Sequence, residues 1–558
     1  KPARVTKIEL DKLSAPLIVG GSYKLNAKVI GANGDPRSDV ALAWASENPA
    51  VAVVDAAGIV TGIAPGKAKL SAKADGATGE LLVEVVKSTV RNLALEPRTA
   101  TARTGDVVRF SATAKDANGG AIKNAVVRWS VSGDGATIDA DGGFVAARPG
   151  TYAISAAVGD QTTTASIVVA PRNVERSLEL VGRVRLKDMQ VSEQWMFGNY
   201  LYISTVWDQI QVYDISDPKS PKLTETVKVD ARVVNDVSLT PDGKIGVVTR
   251  EGASSRKNGI VFLDTTDLAH PKVLSEYTAT VTGGVHSAYI DGQYVYLTDD
   301  ATGSMRVISF KDVKNPREVA RWEVPAKAKA VQNAATGEAF SEGRYLHDVQ
   351  VKDGLAYLAY WRDGLIILDV GAGIKGGSPE NPKLVSQLRF NHHELYGDGW
   401  LAGTHEVYRY KNYVFVGDEV FPEQFNIYDK ARIAARGVLH VVDVSDITNP
   451  RKVAEYAVPE GGAHNVWVKD DVLVMGYYGG GGRVLDVSGE LRGDLYQQGR
   501  EIARLWTGDP QGYRPNLPFT WGARQFGEFI FFNDINSGIW ITKLGKPKQK
   551  GSTTSPGE

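Results

Sequence analysis

Val212-Tyr213-Asp214-Ile215-Ser216-Asp217-Pro218 decides the fold, because the chain keeps returning to it. Further copies read Phe262-Leu263-Asp264-Thr265-Thr266-Asp267, Val307-Ile308-Ser309-Phe310-Lys311-Asp312 and Ile367-Leu368-Asp369-Val370. Val441-Val442-Asp443-Val444-Ser445-Asp446 and Val484-Leu485-Asp486-Val487-Ser488 follow, and Ile539-Trp540-Ile541-Thr542-Lys543-Leu544 is a degenerate seventh. Each copy is the third strand of a block. A short strand opening on a polar pair, a turn and a second strand precede it, and a fourth strand follows. Self-similarity at this period marks a radial array of four-stranded sheets, a β-propeller.

The fourth strand usually opens on proline (Pro221, Pro271, Pro316, Pro382, Pro450), at a strand's first position, where a missing N–H does least harm. The seventh block stops after its third strand. Leu178-Glu179-Leu180-Val181-Gly182-Arg183-Val184 matches the missing fourth strand and lies upstream of the first block. The sequence therefore predicts seven blades over residues 173–545, closed by an N-terminal strand lent to the last blade, which removes the exposed edge.

Residues 1–87 and 88–172 repeat each other. Trp44-Ala45-Ser46 is echoed by Trp129-Ser130, and Ala64-Pro65-Gly66 by Arg148-Pro149-Gly150. Segments such as Lys24-Leu25-Asn26-Ala27-Lys28-Val29 alternate apolar and polar residues, the pattern of a half-buried strand. Two β-sandwiches are expected, each anchored by a buried Trp. The turns Asp116-Ala117-Asn118-Gly119 and Asp139-Ala140-Asp141-Gly142 lack the remaining ligands of a calcium loop and read as hairpin turns. The fold class is thus all-β: two immunoglobulin-like β-sandwiches followed by a seven-bladed β-propeller. The polar tail 546–558 is expected to be disordered.

The stretch Trp44-Ala45-Ser46-Glu47-Asn48-Pro49-Ala50-Val51, with Gly58-Ile59-Val60-Thr61-Gly62 and Ala64-Pro65-Gly66, resembles the bacterial immunoglobulin-like domain, group 2. That resemblance implies a surface or secreted bacterial protein and a spacer role for these modules. Tyr345-Leu346-His347-Asp348-Val349, Gly364-Leu365-Ile366-Ile367-Leu368-Asp369-Val370 and Val442-Asp443-Val444-Ser445-Asp446 resemble the LVIVD-repeat family of bacterial and archaeal surface propellers. This implies fold and says little of activity, because propellers host many functions.

Bulk composition narrows the field. The 558 residues carry 64 Lys+Arg against 65 Asp+Glu, so no global field draws nucleic acid or an anionic membrane. No apolar run is long enough to span a bilayer. There is no cysteine, which excludes disulfides, thiolate catalysis and Cys-ligated metals. The chain starts at Lys1 without a signal peptide, and a mature, processed form is expected. No G-x-S-x-G, phosphate loop or H-E-x-x-H occurs.

Aligning the first strands by their turns places Ser192, Asn235, His286, His347, His405, His464 and Trp521 at one repeat position. Their followers are Glu193, Asp236, Ser287, Asp348, Glu406, Asn465 and Gly522. First strands are innermost, so four of the eight histidines ring the channel. The leading expectation is structural, with each imidazole tying a turn to a neighbouring strand. The alternative is a metal site at His286, His347, His405 and His464, suited to copper, zinc or iron.

The longest insertions, 326–344, 391–403, 507–518 and 420–437, fall on the face where first strands begin. That places His392, His393, Glu394, Tyr396 and Trp400, with Asp418, Glu419 and Glu423, over the channel mouth as a ligand-binding face. The leading functional expectation is an extracellular or cell-surface bacterial protein, or a periplasmic one. Its Ig-like spacers present a propeller that binds a protein, a glycan or an assembly subunit through this face. One alternative is a metal-dependent enzyme of copper type. The expected blade count and axial histidines resemble the selenium-binding, copper-dependent methanethiol oxidase group, without a close motif match. Another alternative is a structural subunit of an extracellular assembly.

Overall fold

The computed structural model describes residues 4–13, 15–32, 37, 40–122, 125–186, 188–324, 330–332, 339–341, 345–424 and 435–547. Most of the insertion 326–344, part of 420–437, and the tail from 548 lie outside the described residues. The chain is nearly all β and divides into two compact units, 1–172 with 497–499, and 173–496 with 500–558.

In the first unit, two stretches of about equal length build the same set of sheets. Ala43–Ser46, Gly66–Ala74, Ala77–Val86 and Leu17–Ile18 form one four-stranded sheet, and Arg128–Val131, Gly150–Val158, Gln161–Ala170 and Thr99–Arg103 form its counterpart. Each is accompanied by a three-stranded sheet and a two-stranded pair. The long strands alternate strictly. In Ala77–Val86 every second residue is buried, which the apolar spacing of the sequence dictates.

Trp44 and Trp129 are half-buried and pack against the side of their cores, instead of filling the centres as expected. The centres are held by Val60, Leu70 and Val83, and by Phe144, Ile154 and Ile167. The reason lies beneath the indole. A Cβ on Gly58, which has φ +77°, would come 2.8 Å from the Trp44 ring. The paired glycine therefore supplies both the left-handed turn and the seat for the ring.

In the second unit, seven four-stranded sheets occur among the described residues, one of them carrying a fifth strand. The first comprises Val191–Phe197, Tyr200–Thr205, Gln209–Asp214 and Lys222–Lys228. The remaining first strands are Val237–Leu239, Ala288–Asp291, Leu346–Lys352, Trp400–Tyr410, Gly462–Lys469 and Thr520–Phe526. Each touches the next in chain order, and Thr520–Phe526 touches Val191–Phe197. This is a β-propeller. The last sheet takes its outer strand from upstream: Arg176–Val184 pairs antiparallel with Gly538–Pro547, Val184 opposite Ile539.

Second and third strands are buried on both faces, as in Leu355–Tyr360 and Gly364–Asp369. Apolar clusters bridge adjacent sheets, for example Tyr202, Val212, Val237, Val248 and Val261. Burying each such side chain contributes about 1.5–3 kcal/mol. The repeated Asp has a local cause. Asp264 Oδ1 accepts the Thr266 N–H at 3.0 Å, and Asp443 Oδ1 that of Ser445 at 2.9 Å, so each closes an Asx turn after the third strand. The prolines sit one residue before the fourth strand, which begins at Lys222, Lys272, Arg317, Lys383 and Arg451.

Candidate functional site: an axial cavity in three tiers

Consecutive residues of a strand normally point to opposite faces. Here the ladder slips at the polar pair in five first strands, between Val191/Gln194, Leu346/Asp348, Thr404/Glu406, Ala463/Val466 and Thr520/Gly522. A bulge sets two residues against one and turns neighbouring side chains to the same side. Both members of the pairs His347/Asp348, His405/Glu406 and His464/Asn465 therefore line one cavity of 490 Å³, which Glu193 and Trp521 also line.

The first tier is imidazole. Ring centroids are 4.4 Å apart for His286 and His347, 4.0 Å for His347 and His405, and 4.0 Å for His405 and His464. Trp521 continues the series 4.6 Å from His464. The expected ties to neighbouring strands are visible. His347 Nδ1 donates to the His405 carbonyl at 3.1 Å, and His464 Nδ1 to that of Trp521 at 2.5 Å. A proton fixed on Nδ1 leaves Nε2 with its lone pair. The His464 Nε2 and the His405 Nδ1 are buried without a hydrogen-bond partner.

Glu419, at the end of Tyr413–Pro422, enters the same tier. His347, His405 and Glu419 offer donor atoms within 4.8 Å of one another, and Glu419 Oε1 lies 3.7 Å from His464 Nε2. Burial pushes the Glu419 carboxyl up to about 7. Burial, then neighbouring histidines, pushes His347 and His405 well below the usual imidazole range. His464 falls as well, chiefly through burial. His286 goes the other way. Burial opposes its charge, but Glu251 at 2.8 Å, with Asp300 and Glu419 nearby, raises it to about 9. Asp300 is itself pushed to about 7 by burial and Glu251, and accepts the Tyr345 hydroxyl at 3.1 Å.

The insertion over the mouth divides. Asn391 caps the short helix His392–Tyr396, its side chain accepting the Glu394 N–H. His392 is buried, and its Nε2 meets Asp418 Oδ1 at 3.0 Å. His440 Nε2 meets the other oxygen at 2.8 Å, and the Tyr396 hydroxyl donates to it at 2.7 Å. Burial alone would raise Asp418, yet His440 and His392 hold it well below the usual carboxylate range. Asp418 thus clamps the strand from which Glu419 projects inward. His393, Glu394 and Glu423 are exposed, and Trp400 is half-buried beneath the Arg436 guanidinium at 4.1 Å. The structure therefore places Asp418 and His392 in the interior and Glu419 at the axis, with Tyr396 and Trp400 half-buried, and leaves only His393, Glu394 and Glu423 of the expected face exposed.

The second tier is carboxylate: Glu193, Asp236, Asp348 and Glu406. Asp236 accepts the Ala288 N–H at 3.0 Å, Asp348 that of Val407 at 3.3 Å and Glu406 that of Val466 at 2.7 Å, each in the next sheet. Asn465 donates to Glu193. Burial and Asp236 push both Glu193 and Asp348 to about 7. The third tier comprises Trp195, Tyr289, Gln350, Tyr408, Trp467 and Arg524. The Arg524 guanidinium lies 3.9 Å from the Trp195 ring and 4.2 Å from that of Trp467. Sequence reasoning missed Glu251, His440 and the whole third tier. The tier stands three residues beyond the ring position in each first strand, and that offset is the signal that would have found it.

Residues 4–85 match the family model of the bacterial Ig-like domain (group 2), and residues 190–229, 343–386 and 431–458 match that of the LVIVD repeat. The chain carries a bacterial Ig-like domain followed by LVIVD repeats. No curated protein sequence matches it. Among solved structures it is similar to the computationally designed Ika8 protein, at 11% identity over 66% of this chain and 99% of that one, TM-score 0.38. It is also similar to the β-propeller domain of Myceliophteria thermophila Cps50 (Swd1), at 8% identity over 66% and 99%, TM-score 0.42. Domains 4 and 5 of the S-layer protein SbsC match at 20% identity over 30% and 100%, TM-score 0.15. No helix among the described residues is long and apolar enough to cross a membrane.

Proposed function

We propose that the axial cavity is a metal-dependent reaction chamber in a bacterial protein displayed outside the cytoplasm. In this reading, residues 1–87 and 88–172 are two Ig-like spacers. Residues 173–545 are a seven-bladed propeller closed by its N-terminal strand, and the segment beyond is a tail. The single observation behind the chamber is the convergence of His347, His405 and Glu419 donor atoms within 4.8 Å. The unpartnered buried nitrogen of His464 stands 3.7 Å from the same carboxylate.

Neutral imidazoles with one carboxylate suit copper, zinc or iron, and His347, His405 and Glu419 would hold such an ion. When bound, such an ion supplies Lewis-acid, activated-water or redox chemistry. The chain's own residues do the rest. Nδ1–H bonds to backbone carbonyls orient His347 and His464. Asp418 holds the Glu419 strand through His392 and His440. His286, kept protonated by Glu251, stands ready as a proton donor at the edge of the tier.

Elemental analysis of protein purified without chelator tests the reading. One equivalent of copper, zinc or iron is expected, lost in a His347→Ala/His405→Ala double variant that still folds. A folded wild-type chain that takes up none of the three would overturn it.

A second reading is docking of a protein, glycan or assembly subunit on the long-loop face. The observation favouring it is the exposure of Trp207, Leu395, Leu401, Trp506 and Tyr513 in loops and strand ends of that face. Retention on intact bacterial envelope, lost in a Leu401→Asp/Trp506→Asp variant, would support it. Equal retention of both forms would count against it.

A further inference from the structure

The second tier presents a physical problem. Four carboxylates face one cavity. The charges of Arg524 and His286 act on Glu193, Asp236 and Asp348 from a distance, but no cationic side chain among the described residues forms a direct ion pair with any of the four. Asp236, Asp348 and Glu406 each accept a backbone N–H of the next sheet, while Glu193 accepts from Asn465 with one oxygen and from the Gln194 N–H with the other. Glu406 is the sharpest case. It is 7% exposed, and its Oε2 is buried with no partner at all. A buried carboxylate oxygen without a donor costs free energy, so the tier is built to receive one.

A bare metal ion does not fit here. Among the described residues, the donor atoms that converge within 4.8 Å are those of His347, His405 and Glu419, not the second-tier acids. Oxygens spaced around a ring at greater distance suit a polyatomic cation that reaches them by separate hydrogen bonds. Below them the wall turns aromatic, with Trp195, Tyr289, Tyr408 and Trp467. That wall already accepts a cation, the guanidinium of Arg524 lying against two indoles. Gly522, the last sheet's member of the tier, contributes no side chain, and Asn465 reaches across that gap to Glu193.

We propose that the cavity takes a small organic cation, a primary ammonium compound with an apolar body, whose charged end sits among Glu193, Asp236, Asp348 and Glu406. The body lies along the aromatic tier, away from the imidazoles. This rests on the reading of the cavity as the working site, but it does not need the metal.

Calorimetric titration of the full chain with benzylamine, benzyl alcohol and benzoate, in the presence of EDTA, tests it. Benzylammonium is expected to bind, the alcohol about tenfold more weakly, and benzoate not at all. Glu406→Gln keeps an acceptor for the Val466 N–H and is expected to weaken benzylammonium binding about tenfold. Asp348→Asn should do the same, and it decides the matter if Glu406→Gln does not fold. The His347→Ala/His405→Ala variant should still bind the amine, which separates this proposal from the metal reading. Absence of amine binding, benzoate binding as tight as the amine, or an affinity unmoved by both acid variants would overturn it.

Discussion

Gly522 is where the ring of side chains is interrupted, and the gap has a use. A Cβ at this position would lie 3.0 Å from Asn533 Oδ1, 3.2 Å from Asn465 Cβ and 3.6 Å from Glu193 Oε1. The vacancy lets Asn465 of one sheet reach Glu193 two sheets on. Gly522→Val should lower stability by about 1–3 kcal/mol through overpacking, read as a lower melting temperature of the propeller. A neutral result would mean that the neighbours give way freely. Glu193 itself predicts a pH effect. Its carboxyl is moved from the ordinary 4.5 to about 7, by burial and then by Asp236. Between those values the folded chain holds a proton that the unfolded chain has released, so stability falls as pH rises. The contribution is whole below about 4.5 and gone above about 7, and is on the order of 3 kcal/mol. Glu193→Gln removes the titration. The melting temperature of the wild type should therefore drop more steeply from pH 4 to pH 8 than that of the variant, and parallel curves would refute the assignment.

At the scale of elements, Arg176–Val184 matters most. Its partner, Gly538–Pro547, otherwise ends the last sheet with a bare edge. Deleting residues 173–188 should speed hydrogen exchange in 529–547 while leaving the sheet that contains Gly364–Asp369 protected. Unchanged exchange in 529–547 would show that the strand is dispensable. This strand was legible in the sequence because it repeats the apolar pattern of Lys383–Leu388. The imidazole tier was legible too, since the turns before each first strand align. The tier beneath it was visible only as a row of followers. Nothing in alternation predicts that His405 and Glu406 face the same way, because the bulge arises from pairing with Asp418 and Gly417 in the second strand. Glu419 joined the wrong group for a similar reason. Whether a strand-end carboxylate turns outward or inward depends on Asp418 being gripped by His392 and His440, which lie 26 and 22 residues away. His440, in the middle of the apolar strand Leu439–Asp443, gave no sign of its role.

For the whole molecule, the expectation is that the Ig-like domain of residues 4–85, the sheets that follow it up to residue 170, and the propeller unfold separately, because each has its own core. Trp44→Ala should remove about 2–4 kcal/mol from its module, enough to unfold a domain of that size, and leave the propeller transition in place. Differential scanning calorimetry should show the early transition vanish while the later one stays. One cooperative transition for the entire chain would contradict this independence.

The pairing of Arg176–Val184 with Gly538–Pro547 also sets a timetable for biosynthesis. A ribosome adding about 5–20 residues per second needs about 20–70 s to travel from one strand to the other. Throughout that interval the nascent chain carries Arg176–Val184 unpaired, with an unfinished array behind it. Both are sticky, and neither can satisfy the other early. A chain cut shortly before Gly538 leaves Arg176–Val184 without its partner and is expected to self-associate through the bare edge.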